Sequence, residues 1–269
     1  MKKGILITGA LGGLGRALVE AAGQIDDVDY IIAGDISRGI LNAYDNEIRI
    51  KGMVMDVASE LSIETLRENV HSLGVSIKYI VNNAGKALFF PISEASEDQL
   101  DKIVKVNTYG PVLTVSAFLD DLIENKGRVV QISSDNVRLS GAFQPYASSK
   151  IALESFSVAM RQELSLHDIK LIMIRPGAIR TGLLDAIGEA EIRENSRYVG
   201  PFSTFKRFAG KGVGKTIDPG KVALLVMKAL KARHPKTIYS INKTSTISFL
   251  TKFPHKWIDK LIRKTLLSK

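Results

Sequence analysis

The sequence predicts an α/β protein built on one doubly wound parallel sheet, and three observations carry that reading. Short apolar runs alternate with longer amphipathic segments along most of the chain. The runs are continuous rather than alternating, as strands covered on both faces must be. A glycine-rich turn, Thr8-Gly-Ala-Leu-Gly-Gly-Leu-Gly15, joins the first run to the first amphipathic segment. Such β-α alternation requires right-handed crossovers, with helices on both sides of the sheet.

Seven runs read as strands: Gly4–Thr8, Asp29–Gly34, Lys51–Met55, Ile77–Asn82, Arg128–Ser133, Lys170–Arg175 and Thr237–Ile241. Helical spacing covers 14–23, 60–73, 96–124, 145–167 and 218–233. No repeat or low-complexity linker divides the chain, so residues 1–269 are expected to form a single nucleotide-binding domain. The stretch 182–219 is the longest without a clear period, and connections of that length are usually functional, so a lid is expected there.

Composition narrows the chemistry. The 45% apolar fraction supports a sizeable core. The absence of cysteine excludes disulfides, thiol catalysis and thiolate metal sites. The four histidines, His71, His167, His234 and His255, have no ligand spacing, so no metal is expected. The first strand begins too early for a signal peptide, and no apolar run spans a membrane, so a cytoplasmic protein is expected. Charge is uneven: residues 201–269 hold 16 Lys/Arg and 2 Asp/Glu, whereas residues 1–200 hold 21 and 26. A basic end on an acidic body suits an anionic membrane surface, an acidic partner or solubility. No nucleic-acid-binding motif accompanies the charge, so no nucleic acid is expected.

The glycine turn opens a helix. Glycine at 9, 13 and 15 allows a tight turn and close approach of a ligand, and the helix start at Leu14 offers free amides and positive potential to a pyrophosphate. Asp35 ends the second strand twenty residues after Gly15. A carboxylate there accepts hydrogen bonds from ribose hydroxyls and repels a 2′-phosphate, which favours NAD over NADP. Arg38 could receive that phosphate, so NADP stays open as the second choice.

Tyr146 and Lys150 are four residues apart in Pro145-Tyr-Ala-Ser-Ser-Lys150, on one face of a helix. An ammonium one turn away favours the phenolate and brings a poor acid toward the useful range. Asn82-Asn-Ala-Gly85 closes the fourth strand, and Ser133-Ser134 closes the fifth.

With these features the chain resembles the short-chain dehydrogenase/reductase family, from Lys3 to about Ile241. The matching elements are Thr8-Gly9 with Gly13 and Gly15, Asp56-Val57, Asn82-Asn-Ala-Gly85, Asn107, Ser134, Tyr146-x-x-x-Lys150 and Arg175-Pro-Gly-Ala-Ile-Arg-Thr181. The resemblance implies a Rossmann-type sheet with a seventh strand and nicotinamide-dependent oxidation of a secondary alcohol, reversible to the ketone. It assigns the adenine to Asp56 and Val57, and the adenosine ribose to Asn83, Ala84 and Gly85. Pro176, Gly177, Ile179 and Thr181 receive the nicotinamide amide and pyrophosphate. Tyr146 becomes the proton carrier, and Lys150 both lowers its pKa and holds the nicotinamide ribose. Ser134 steadies the substrate oxygen, and Asn107 holds a water in a proton relay or is a satisfied polar residue inside a helix. Many members place the serine thirteen residues before the tyrosine, which here points to Ser133. The strand ends in the family's double serine, whose second member is catalytic, so Ser134 is chosen with a loop one residue shorter. Retinol- and hydroxysteroid-type members resemble that spacing. Family members are commonly dimers or tetramers.

Leu183, Leu184, Ile187, Tyr198, Phe202, Phe205 and Phe208 fall in the lid segment. They either line a pocket for a steroid-, retinoid- or lipid-like alcohol or form ordinary core. Phe249, Phe253, Trp257, Leu261 and Thr265 recur every four residues among Lys252, Lys256, Lys260, Arg263 and Lys264. That describes a basic amphipathic tail over 244–269, set either on a membrane as a peripheral contact or against a partner subunit. The competing function is a catalytically silent NAD(P)-binding regulator on the same fold.

Overall fold

The computed structural model describes residues 1–181, 185–190, 192–212 and 216–268. Seven parallel strands form one sheet: β1 Lys2–Thr8, β2 Tyr30–Asp35, β3 Ile50–Val54, β4 Val75–Asn82, β5 Arg128–Ile132, β6 Lys170–Pro176 and β7 Ile238–Ile241. Their order is β3-β2-β1-β4-β5-β6-β7. Each expected strand is present, with ends shifted by at most two residues.

Burial on both faces explains the continuous apolar runs. Ile5 and Ile7 of β1 join one core, with Leu14 and Leu18 of α1 (Gly13–Ala22) and Val222, Val226 and Leu230 of α9 (Pro219–Lys231). Leu6 faces the other core. There it meets Ile63 and Leu66 of α2 (Glu60–Ser72), Val115 of α4 (Gly110–Ala117), Leu122 of α5 (Leu119–Glu124) and Leu164 of α6 (Pro145–Ser165). The sheet's other end is tied by Arg128, whose Nη1 donates to the carbonyls of Leu230 and Ala232 at 2.6 Å, satisfying the C-terminus of α9.

The expected helix over 96–124 is broken. It divides into α3 (Glu97–Val104), a π-helical turn (Lys105–Tyr109), α4 and α5. Pro111 has no amide for the carbonyl of Asn107, and the Gly110 amide bonds instead to Lys105, five residues back. Gly110 also lies so close to Val57 that an added Cβ would sit 2.7 Å from its carbonyl. Among its described residues, the segment expected as a lid holds two helices, α7 (Asp185–Glu189) and α8 (Val199–Gly212). The tail is two helices, α10 (Ser245–Leu250) and α11 (His255–Leu267), with Pro254 at the start of the second.

The chain runs from β1 outward to β3 and then returns to β4 on the other side of β1. Ligands of open α/β sheets bind outside the carboxyl ends of the strands at such a reversal.

Candidate active site

A cleft of about 1160 Å³ opens at that reversal. Gly9 adopts φ +66°, and a Cβ there would lie 2.8 Å from the Cα of Ala84. Gly15 is tighter, with a hypothetical Cβ 2.0 Å from the Gly9 carbonyl oxygen. α1 starts after Gly12 without a side-chain cap, so its first amides are available to a ligand. The turn is locked from the neighbouring strand. Thr8 Oγ1 accepts from the amides of Asn83 and Ala84, each at 3.0 Å. Asn83 Nδ2 in turn donates to the carbonyls of Thr8 and Gly9 at 2.9 and 3.1 Å. Sequence reading noted Thr8 but not this lock, because its partner is 75 residues away.

Asp35 accepts from Leu11 N at 2.9 Å and from Ser37 N at 3.0 Å, which sets its carboxylate on the cleft rim beside the glycine turn. Asp56 and Val57 line the same rim. On the opposite wall, Pro176, Gly177, Ile179 and Thr181 continue from β6. A Cβ on Gly13 would meet Thr181 Cγ2 at 3.0 Å, so the two walls nearly touch there. An uncapped helix start, glycines that admit close approach and an acid at the second strand's end suit a dinucleotide.

Beyond lie Ser134, just after β5, and Tyr146 and Lys150 in the first turns of α6, all on the cleft wall. Burial pushes the Tyr146 phenol up to about 12, and a hydrogen bond with the Ser134 side chain works against that rise. Burial pulls the Lys150 ammonium down to about 8, opposed by the charge of Glu154. Lys150 Nζ donates to the Ile132 carbonyl at 2.9 Å. The spacing predicts a phenol lowered by the lysine, but burial raises it instead, and the group that works against the rise is Ser134, not Lys150. The two serines part company. Ser133 Oγ donates to Glu154 Oε1 at 2.5 Å in a buried site, where Arg175 also grips Glu154 through Nε at 2.8 Å. Ser134 is the one that faces the phenol.

Among the predicted site residues, Asn107 alone stands behind the wall rather than on it. Its Oδ1 accepts from Lys86 N at 2.8 Å, and its Nδ2 donates to Lys86 O at 2.8 Å and to Ser149 Oγ at 2.9 Å. It therefore fastens the loop after β4 to α6. A Cβ on Gly85 would sit 3.5 Å from Asn107 Oδ1 and 3.6 Å from Lys150 Nζ, so the loop passes between them. Glu154, one turn beyond Lys150, escaped sequence reading, although its i+4 spacing from the lysine was visible.

The remaining wall is apolar. Ile187 and Phe205 from the lid segment line it, and Phe205 also packs with Phe143, Phe202 and Phe89 at ring separations of 5.7, 5.8 and 5.9 Å. Tyr198 meets Phe143 edge-on, whereas Phe208 is exposed. Leu183 and Leu184 lie outside the described residues. Of the lid aromatics Phe202 and Phe205 are buried, and Phe205 also lines the cleft. The tail supplies wall that sequence did not foresee, through Ile247, Leu250, Ile258 and Ile262.

The family model for short chain dehydrogenases matches residues 3–192. The chain belongs to the short-chain dehydrogenase family. It is 28% identical to an uncharacterized oxidoreductase, YbbO, of Escherichia coli over 274 aligned positions, covering 98% of this chain and 95% of that one. It is 27% identical to human retinol dehydrogenase 5 (88% and 79% covered). It is also 27% identical to an (S)-acetoin-forming diacetyl reductase of Staphylococcus epidermidis (84% and 90% covered). A short-chain dehydrogenase structure from Streptomyces avermitilis superposes with a TM-score of 0.76 at 27% identity, covering 98% of each chain. A short-chain dehydrogenase/reductase from Burkholderia phymatum, solved with NAD, superposes at 0.77 and 20% identity (97% and 95% covered), and supports the fold. Membership makes this short-chain dehydrogenase an oxidoreductase of CH–OH groups.

Proposed function

We propose that this protein moves a hydride between a nicotinamide cofactor, NAD in preference to NADP, and a hydrophobic secondary alcohol or its ketone. The observation that supports this best is the meeting of Ser134, Tyr146 and Lys150 on one wall of a cleft that also holds the glycine turn. Asp35 on the rim supports NAD, since a carboxylate disfavours a 2′-phosphate. Gly9, Gly13, Leu14 and Gly15 would receive the pyrophosphate, and Asp56, Val57, Asn83, Ala84 and Gly85 the adenosine half. Pro176, Gly177, Ile179 and Thr181 would flank the nicotinamide. When bound, the cofactor supplies the hydride acceptor or donor.

The chain's own groups manage the proton. Tyr146 is a neutral phenol at pH 7, as any phenol with a pKa of about 10 or above is, and burial raises it further, to about 12, so it carries a proton for a ketone oxygen. In oxidation it first gives up its own proton to solvent and then, as phenolate, takes the alcohol proton. Lys150, with its pKa near 8, remains mostly charged at neutral pH and stabilises that phenolate. Ser134 donates to the substrate oxygen as charge develops. Asn107 acts as a positioning residue, through Lys86 and Ser149.

An apolar wall of Phe205, Ile247, Leu250 and Ile258 supports a steroid-, retinoid- or lipid-like substrate. Exposed Tyr109, Ile151 and Phe156, on the π-turn and the adjoining α6, support a homo-oligomer. The same reading carries a cytoplasmic protein whose tail touches a membrane. No helix among the described residues is long and apolar enough to cross one.

The test is NADH absorbance with NAD or NADP across a panel of secondary alcohols and ketones. Turnover is expected with NAD. Tyr146→Phe is expected to keep NADH binding and lose turnover. Tight NADH binding with silence across the panel overturns the enzyme reading in favour of a regulator.

A further inference from the structure

The tail carries two apolar faces. The inner face, with Ile247, Leu250, Ile258 and Ile262, lines the cleft. The outer face carries Phe249, Phe253 and Trp257, exposed to 59, 41 and 68%. Phe249 and Phe253 pair edge-on across the α10–α11 turn, with ring centres 5.0 Å apart. Around them Lys252, Lys256, Lys260, Arg263 and Lys264 are all exposed. Among the described residues none of these cations forms an ion pair. Asp259 is the only acid of the tail. Against α11 packs α8, which adds Lys206 and Arg207 and no acid.

We propose that this outer face docks the protein on an anionic lipid surface, with the aromatic rings at the headgroup level and the cations on the phosphates. Aromatic side chains framed by lysines on one side of a helix are the composition an interfacial segment requires. A second copy fits less well, because a self-complementary contact through this face would set one cluster of cations against the same cluster. Leu261 links the two faces: it is exposed, follows Trp257 by one turn and lines the cleft. Docking therefore brings the edge of the cleft to the lipid, so that an apolar alcohol or ketone passes from bilayer to site without crossing water. The docking deepens the membrane contact of the proposed function and rests on the tail's own residues, whereas this last step rests on the proposed reaction.

Trp257 is the only tryptophan, so its fluorescence reports this face alone. The full-length protein is sedimented with vesicles of phosphatidylcholine containing phosphatidylserine, and with phosphatidylcholine alone. Expected are co-sedimentation with the anionic vesicles, release by salt and a blue shift of Trp257 emission. Replacing Lys256 and Lys260 by glutamine is expected to weaken binding roughly 30-fold. Phe249→Ser with Phe253→Ser is expected to abolish the blue shift while turnover of a water-soluble alcohol is kept. Absence of binding to anionic vesicles overturns the proposal. So does a blue shift that grows with protein concentration without vesicles, which marks a second copy as the occupant. Vesicle binding without turnover of any alcohol upholds the docking and overturns only the reading of the reaction.

Discussion

Ser133 and Ser134 are neighbours with opposite surroundings, and the difference decides what each can do. Ser133 spends its proton on the buried Glu154 carboxylate, which Arg175 also holds. Ser134 is turned toward the phenol of Tyr146. Ser134→Ala is therefore expected to lower kcat roughly 100-fold or more. Ser133→Ala should cost about 2 kcal/mol of stability, as a hydrogen bond to a charged group does, with kcat changed little. Steady-state kinetics beside thermal melts separates the two, and the reverse pattern would refute the assignment. Lys150 makes a pH prediction. Burial lowers its ammonium from 10.5 to about 8, so between those values the unfolded chain holds a proton that the folded chain has lost. Its contribution to stability therefore rises with pH across that window and is least below it. Tyr146 works in the other direction: burial raises it from 10.0 to about 12, favouring the fold below 10 and losing that advantage above. From pH 8 to 10 the wild type should gain stability relative to Lys150→Met, by up to about 3 kcal/mol. Chemical denaturation across that range checks it; a difference that ignores pH would contradict the burial of the charge.

At the scale of elements, the strands were legible because both their faces are buried, which leaves an unbroken apolar run such as Ile5-Leu-Ile7. The helix over 96–124 was read through its breaks, because the flanking period continued on either side of Pro111 and the π-turn shifts the register by only one residue. α7 and α8 were hidden by their glycines, Gly188, Gly200 and Gly210, which weaken any helical pattern. The tail was read as helical, but both its faces are apolar, and periodicity alone cannot tell which stripe turns inward. Of the site, the glycine turn, the acid and the Tyr146–Lys150 pair were readable because each works through local spacing. The Thr8–Asn83 lock and the Glu154–Arg175–Ser133 cluster were not, because they join distant segments. The glycine turn carries the prediction at this scale. Gly15→Ala would place a methyl 2.0 Å from the Gly9 carbonyl oxygen, which forces backbone to move. A stability loss of about 1–3 kcal/mol is expected, with NADH binding weakened at least roughly tenfold. Gly188→Ala is the control, since a methyl there meets nothing within 4 Å. Calorimetric titration with NADH reads the contrast, and equal binding by both variants would exclude the turn as the pyrophosphate seat.

Across the whole molecule, the acidic first 200 residues carry the sheet up to β6 and the reactive groups, while the basic remainder supplies α8, α9, β7 and the tail. The tail is fastened to the reactive part immediately after the serine. Asp135, fully buried, accepts from the Thr244 amide at 2.8 Å and pairs with Arg138, whose Nη2 donates to Ser248 Oγ at 2.7 Å. The short helical turn Asp135–Arg138 thus couples the loop of Ser134 to the base of α10. Arg138→Ala should cost about 2 kcal/mol, less than the ~3–5 of a buried pair with no second cation. The reason is that Arg175 also faces Asp135. The expected consequence is unequal along the cleft. The adenosine rim, built on β1 to β4, makes no use of this latch, so the Kd for NADH should change less than about twofold, within the usual additivity error for separate sites. The substrate wall formed by Ile247, Leu250 and Ile258 should loosen, raising KM for a hydrophobic alcohol while a small one is turned over as before. Hydrogen exchange should show α10 and α11 opening more often while the sheet stays protected. Protection lost evenly through β1 to β7 would instead mean that Arg138 supports the fold as a whole and that the tail is not separately latched.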